Sequence, residues 1–220
     1  SDVCSSDLDQ QLEELNRELI KMGALCERAI RLAVDQLMKA EAEKAKEVNQ
    51  IEMEINHKER EIEALCMKLI LQQQPVASDL RQISSALKMI SDMERIGDQA
   101  QDIAGMSKFV QVQEIAHTIH IGEMAEATIK MVTESIDSFV KSNIETARNV
   151  VKYDDVVDNL FLQVKEELTG KVIDDSQNAE YYMDLIMIAK YFERIGDHAE
   201  NIAQWVEYSI TGEHDDSEQE

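Results

Sequence analysis

The sequence holds a single proline, Pro75, and only seven glycines in 220 residues, so little in it interrupts regular backbone. Aromatic residues make up 5% of it, and Leu, Ile, Met, Ala, Glu and Lys dominate, a composition that favours long helices. The three cysteines, Cys4, Cys26 and Cys66, show no CxxC spacing, which argues against a disulfide framework or a structural zinc site and fits a reducing cytoplasm. No stretch approaches the ~20 uncharged apolar residues that cross a bilayer, and no apolar secretory segment stands near the start. A cytoplasmic chain that reaches a membrane only through partners is therefore expected. Cations are scarce as well. Lys and Arg number 22 against 45 Asp and Glu, and the net charge of −23 repels a phosphate backbone. Direct DNA binding is thereby argued against, because such affinity rests on Lys and Arg replacing counterions. The acidity keeps the chain soluble, and it also supplies carboxylates able to hold cations.

What the sequence does contain is a repeat. Glu94-Arg95-Ile96-Gly97-Asp98 returns as Glu193-Arg194-Ile195-Gly196-Asp197, 99 residues later, close to half the chain. The likeness continues through Ala100, Ile103 and Ala104 in one copy and Ala199, Ile202 and Ala203 in the other. A duplicated unit is the direct reading. At this length the chain forms one domain or two small ones, and either size buries a real core.

Residues 1–7 differ in style from the rest of the chain and are set aside from the fold as non-native or disordered. From Leu8 to about Lys39, Leu12, Leu15, Leu19, Met22, Cys26, Ala29, Ala33 and Leu37 recur at three- and four-residue spacings, an amphipathic helix. A second helix is expected from Ala42 to Gln73, with Val48, Ile51, Ile55, Ile62, Leu65 and Leu69 inward. Pro75 ends it and suits the start of a third. That third helix runs to about Val110 through Leu80, Ile83, Leu87, Ile90, Met93 and Ile96. The pattern then restarts, with helices over Gln113–Val140, Ile144–Val172, N-capped by Asn143, and from the Asp174–Asn178 turn to Thr211. The expected fold is all-α: six long helices in two tandem three-helix bundles, residues 8–110 and 111–212, related by internal duplication. Residues 213–220 form an acidic disordered tail. Helices of ~30 residues are ~45 Å long.

On a helix Glu94 and Asp98 lie one turn apart on the same face, beside the arc formed by Met89, Met93, Ile96, Ala100 and Ile103. The second helix carries Glu52 and Asn56 at the same spacing, and the fifth carries Asp154 and Asp158. Antiparallel neighbours bring level those residues whose numbers share a midpoint at the turn. The midpoint of Glu52 and Asp98 is Pro75, and that of Asp154 and Asp197 falls between Asp175 and Ser176. Each unit therefore brings two acid-bearing helices face to face at one height. Four oxygen-bearing side chains converging from two helices suit a hard cation such as Mg²⁺, Ca²⁺, Mn²⁺ or iron. The competing reading is a solvated face whose acids pair with Arg95, Arg194 or nearby lysines.

Gln74-Pro75-Val76-Ala77-Ser78-Asp79-Leu80-Arg81, the two Glu-Arg-Ile-Gly-Asp repeats and Asp197-His198-Ala199-Glu200-Asn201-Ile202-Ala203 resemble the PhoU family of bacterial phosphate-signalling regulators. Leu19-Ile20-Lys21-Met22-Gly23 and Thr211-Gly212-Glu213 extend the likeness over about Leu8 to Glu213. The resemblance implies two three-helix bundles and acid-x-x-x-Asp motifs that bind multinuclear iron or zinc clusters, with Mg or Mn as further options. By position the ligands are Glu94 with Asp98, Asp154 with Asp158, and Glu193 with Asp197. Glu52 and Asn56 depart from the pattern, since the family more often has an aspartate first and Asn56 is a weaker, neutral ligand. The resemblance further implies an adaptor rather than an enzyme. Such an adaptor restrains a phosphate-sensing histidine kinase when phosphate is plentiful and communicates with the ATPase of the phosphate ABC transporter. A homodimer is the expected assembly, and a metal-storage or di-iron oxidase bundle is the alternative function.

Other candidates carry bland readings alongside. Glu54-x-x-His57 and Glu114-x-x-His117 match di-iron spacing, yet His57 lies about 200° around its helix from Ile55 and so faces solvent. Asp79 and Arg81 suit the first turn of the third helix, with Arg81 pairing across the turn. His198 is either an extra ligand or a satisfied packing histidine. The methionines, including Met89 and Met93, read as core filling, Cys26 and Cys66 as inert, and Trp205 and Tyr208 as packing or a partner anchor.

Overall fold

The computed structural model describes residues 2–39, 44–73, 75–110 and 120–213. Among these there are six α-helices: α1 (Asp2–Lys39), α2 (Lys44–Gln73), α3 (Ala77–Met106), α4 (Ile121–Val140), α5 (Ile144–Asp174) and α6 (Ala179–Thr211). A 3₁₀ turn, Ser176–Asn178, joins the last two. The fold is all-α, as the periodicity predicts. Two boundaries differ from expectation. The segment set aside at the start belongs to α1, which begins at Asp2; it has neither Gly nor Pro to stop a helix, and its Asp and Ser suit a first turn. α3 stops at Met106 rather than Val110: the Ser107 amide and hydroxyl both reach the Ile103 carbonyl, the hydroxyl at 2.6 Å, and the chain turns at Phe109, whose amide bonds the Met106 carbonyl. Residues 113–119 of the expected fourth helix, Glu114 and His117 among them, and residues 214–220 of the tail lie outside the described residues.

Asn143 caps α5 as read, its side-chain oxygen accepting from the amides of Glu145 and Thr146. The predicted seams are inward: Leu15 to Leu37 on α1, Ile51, Ile55, Ile62 and Leu69 on α2, and Ile83, Ile90, Met93 and Ile96 on α3 are buried. Leu12, Leu65 and Leu87 are half-buried against the core, and Leu80 is 42% exposed. It sits at the α2–α3 tip with exposed Leu71 and Val76, where the packing partners end. Met89 and Met93 fill the core, whereas Met53, Met67, Met183 and Met187 are exposed. Burial raises the thiols of Cys26 and Cys66, the latter to about 12, so both are inert.

Each unit runs up, down and up, and the units pack against each other most extensively through α3 and α6. These two are antiparallel. Arg81 of α3 lies beside Gly212 at the end of α6, Lys88 sits over the Trp205 ring at 5.8 Å, and Asp92 bonds Asn201. Arg81 thus reaches across to the other unit, and its Nε is buried without a hydrogen-bond partner. Among the described residues Asp79 receives the Ser78 hydroxyl, at 3.4 Å, and caps no amide of α3. Trp205 is a packing residue, edge-on to Tyr208 at 5.9 Å. The buried side chains of all six helices form one continuous core, with Phe192 the largest side chain fully inside.

A shared core unfolds as one body. Phe192→Ala should cost about 3–5 kcal/mol, and urea denaturation should show both units melting in a single transition. Two separated transitions would show that the bundles are independent.

Candidate metal centre

Asp154 and Asp158 stand one turn apart on α5, and Glu193 and Asp197 one turn apart on the facing stretch of α6. Gly196 lets the two helices come together there. A Cβ on it would stand 3.2 Å from both Asp154 Oδ1 and Val157 Cγ1, tighter than ordinary contact. The same position of the first unit, Gly97, lies under Ile55, whose Cδ1 would be 2.9 Å from such a Cβ. The glycine of the repeated motif therefore sets helix separation in both copies, and in the second copy a carboxylate fills the space above it.

The result is a concentration of unneutralised acid. One carboxylate oxygen from each of Asp154, Asp158 and Asp197 lies within 4.8 Å of the other two. Glu193 is half-buried beside them, its side chain 13% exposed. Its Oε1 takes Lys190 Nζ, while Glu193 Oε2 and Asp154 Oδ1 are buried with no hydrogen-bond partner. Asp154 is pushed up to about 7, first by burial and then by Glu200, Asp158, Asp197 and Glu193. Asp197 and Asp158 are also raised, mainly by burial and then by Glu193, with Lys190 opposing. Five acids thus crowd one lysine, which itself leans over the Phe161 ring at 5.4 Å.

The first unit assembles its counterparts differently. Glu52 accepts from Asn56 Nδ2 and, at 3.4 Å, from Gln101 Nε2. Arg95 bonds Asp98 at 3.2 Å and approaches Glu94 at 3.6 Å. Each of the three carboxylates there has a donor from the chain itself, and the reading of acids paired by Arg95 describes this unit. Glu94 is still raised, by burial first and then by Asp98, while Arg95 lowers it. Arg194 does not play the part of Arg95. It lies over Tyr191, 5.9 Å from the ring centre, and its field acts on Asp102 of the first unit.

Sequence reasoning missed Glu200 and Lys190 as members of the second site. Both were accessible, since Lys190, Glu193, Asp197 and Glu200 succeed one another at three- and four-residue spacings on one helical face. It also left His198 undecided. His198 Nδ1 lies 2.9 Å from Asp92 Oδ1, and Asn201 Nδ2 donates to the same oxygen at 3.2 Å. His198 is thus a packing histidine that ties the second site to the first unit. His57 is 71% exposed and pairs with Glu61, and Glu54 is exposed too, so this Glu-x-x-His pair does not enter the core.

The sequence matches the PhoU domain twice, over residues 19–106 and 121–206. The chain belongs to the PhoU family. A Phosphate-specific transport system accessory protein PhoU homolog of Pseudomonas aeruginosa is 34% identical over 94% of this chain and 87% of its own length. The homolog of the same description from Clostridium acetobutylicum is 34% identical over 93% and 94% of the two chains. The crystal structure of PhoU from Pseudomonas aeruginosa superposes with a TM-score of 0.85 at 32% identity, covering 93% of this chain and 99% of that one. The phosphate transport system regulatory protein PhoU from Streptococcus pneumoniae, at 24% identity and a TM-score of 0.84, shares the fold. This PhoU chain carries both domain copies, and the two tandem bundles correspond to them.

The raised carboxyls give this protein a definite pH response. A group that holds its proton more tightly when folded makes the folded state less stable as pH rises above the unfolded value. With chelator present, stability should therefore fall as pH rises from about 4 to about 7, the window of Asp154. Asp154→Asn should flatten that slope and stabilise the protein at pH 8 by on the order of 1 kcal/mol, a figure discounted for partial exposure. Thermal denaturation across this range decides it; a native slope retained in the variant would place the titrating group elsewhere.

Proposed function

We propose that this chain is a cytoplasmic regulator of phosphate uptake and phosphate-starvation signalling. It acts as an adaptor between the ATPase of the phosphate ABC transporter and the phosphate-sensing histidine kinase, and it restrains the kinase when phosphate is plentiful. The observation that carries this reading is the match of both PhoU domains, with accessory-protein relatives aligned along nearly the whole chain. The net charge of −23 is consistent with a role exercised through proteins rather than DNA.

We assign the second acidic site as the better metal centre. Asp154, Asp158 and Asp197 would hold the ion, with Glu193 beside them. Two buried, unpartnered carboxylate oxygens fit this assignment, as does an all-oxygen donor set suited to iron, Mn²⁺ or Mg²⁺ more than to zinc. When bound, the metal supplies positive charge that offsets the repulsion among the five acids. Glu52, Asn56, Glu94 and Asp98 form a weaker site: Asn56 Oδ1 is buried without a partner there too, but Asn56 is neutral, and Asn56, Gln101 and Arg95 already donate to Glu52 and Asp98. The exposed Glu54 and His57 do not favour the di-iron alternative.

Metal analysis of purified protein should show most of the metal lost when Asp154, Asp158, Glu193 and Asp197 are changed to alanine. Little should be lost when Glu94 and Asp98 are changed; the opposite order would reverse the assignment. Gly196→Ala should also weaken Mn²⁺ binding in calorimetry, even though alanine is the better helix former by about 1 kcal/mol. For the function, deleting the gene should derepress phosphate-starvation genes in phosphate-rich medium. A flat response would favour a metal-storage bundle.

A further inference from the structure

One face of α1 carries charge of the sign that this chain otherwise lacks. Between Arg17 and Arg31 the exposed positions are Arg17, Ile20, Lys21, Ala24, Arg28 and Arg31. Four of these six are cations and none is an acid, in a chain where acids outnumber bases 45 to 22. The acids of the same stretch, Glu18 and Glu27, are turned aside. Glu18 is held by Lys21 at 2.7 Å and Lys58 at 2.8 Å. Arg17, Arg28 and Arg31 make no ion pair among the described residues. Three arginines that leave every nearby carboxylate alone are not there to brace the fold.

We propose that this face docks an acidic helical segment of a partner protein. The cations succeed one another at four, seven and three residues, which on a helix is a line ~21 Å long and one side chain wide. A helix laid alongside, with Glu or Asp at the same spacings, meets each of them. Arginine is the cation suited to this, because its planar fork takes a carboxylate through two parallel hydrogen bonds. Between Lys21 and Arg28 the exposed residue is Ala24, small enough to let another backbone approach, and Ile20, 47% exposed, adds an apolar contact.

The other occupants fit less well. A second copy presenting the same face would set cations against cations. An anionic bilayer is a plane, and Lys58, which holds Glu18 of this helix, also holds exposed Glu61, so acid beside the stripe would face the lipid phosphates. The residues lie on α1, away from the acidic site, and the proposal depends neither on a metal nor on the phosphate role.

The test uses the full chain and a fluorescent, alanine-based helical peptide of about 20 residues. It carries glutamates at three- and four-residue spacings and one leucine; a control carries glutamine in their place. At about 50 mM salt, anisotropy should show saturable binding of the glutamate peptide alone, and binding should fade towards about 300 mM. The R17Q/R28Q/R31Q variant should bind about tenfold more weakly or worse. Since all three residues are exposed, its circular dichroism should match the native protein. Equal binding by the variant would overturn the proposal. So would sedimentation with phosphatidylserine-containing vesicles that depends on the same arginines, in protein that ignores the peptide.

Discussion

Everything in this molecule is hung on the antiparallel contact of α3 with α6. These are the helices that carry the two copies of the repeated motif, and they meet where Arg81 lies beside Gly212, Lys88 over Trp205 and Asp92 against His198 and Asn201. The Asp92 carboxylate, gripping His198 and Asn201, fixes their register. Once α3 and α6 are set, each has one flank left for the acid-bearing helix of its own unit. α2 settles against Gly97 and α5 against Gly196. The acidic sites are thus a product of where two glycines permit backbones to approach.

The two sites inherited the same frame and filled it with different chemistry. In the first, amide side chains and Arg95 supply donors to Glu52 and Asp98, although burial and neighbouring acids still raise Glu94. In the second, Arg194 is drawn off over Tyr191; Lys190 bonds Glu193 and opposes the repulsion at Asp158 and Asp197, while four neighbouring carboxylates act on Asp154. Like charges held that close are costly unless protons or cations join them. The second site is therefore the one whose properties depend on what the solution offers.

Much of this was legible in the residues. Helical spacing gave the buried seams of α1, α2 and α3 nearly residue by residue, because apolar periodicity and burial express one geometry. The midpoint rule paired Asp154 with Asp197 because antiparallel helices joined by a short turn leave little freedom of register. What could not be read was of two kinds. Ends of helices depend on local backbone turns, such as the one from Met106 to Phe109, that apolar spacing does not encode. Contacts between the units depend on how two surfaces meet, so neither the Asp92–His198 bridge nor the separate fates of Arg95 and Arg194 could be had from spacing. Sequence treated the two arginines as equivalent, and tertiary surroundings made them different.

The single core has a consequence for how such a chain could have arisen. One unit on its own would present the apolar face of its third helix, with Ile and Ala side chains that are fully buried here, to water. A half-length ancestor could hide that face only by pairing with a copy of itself, third helix against third helix. Fusing such a pair would make the dimer permanent and free the halves from having to be identical. The crowded carboxylates of one half and the quiet, internally paired acids of the other record that release from symmetry.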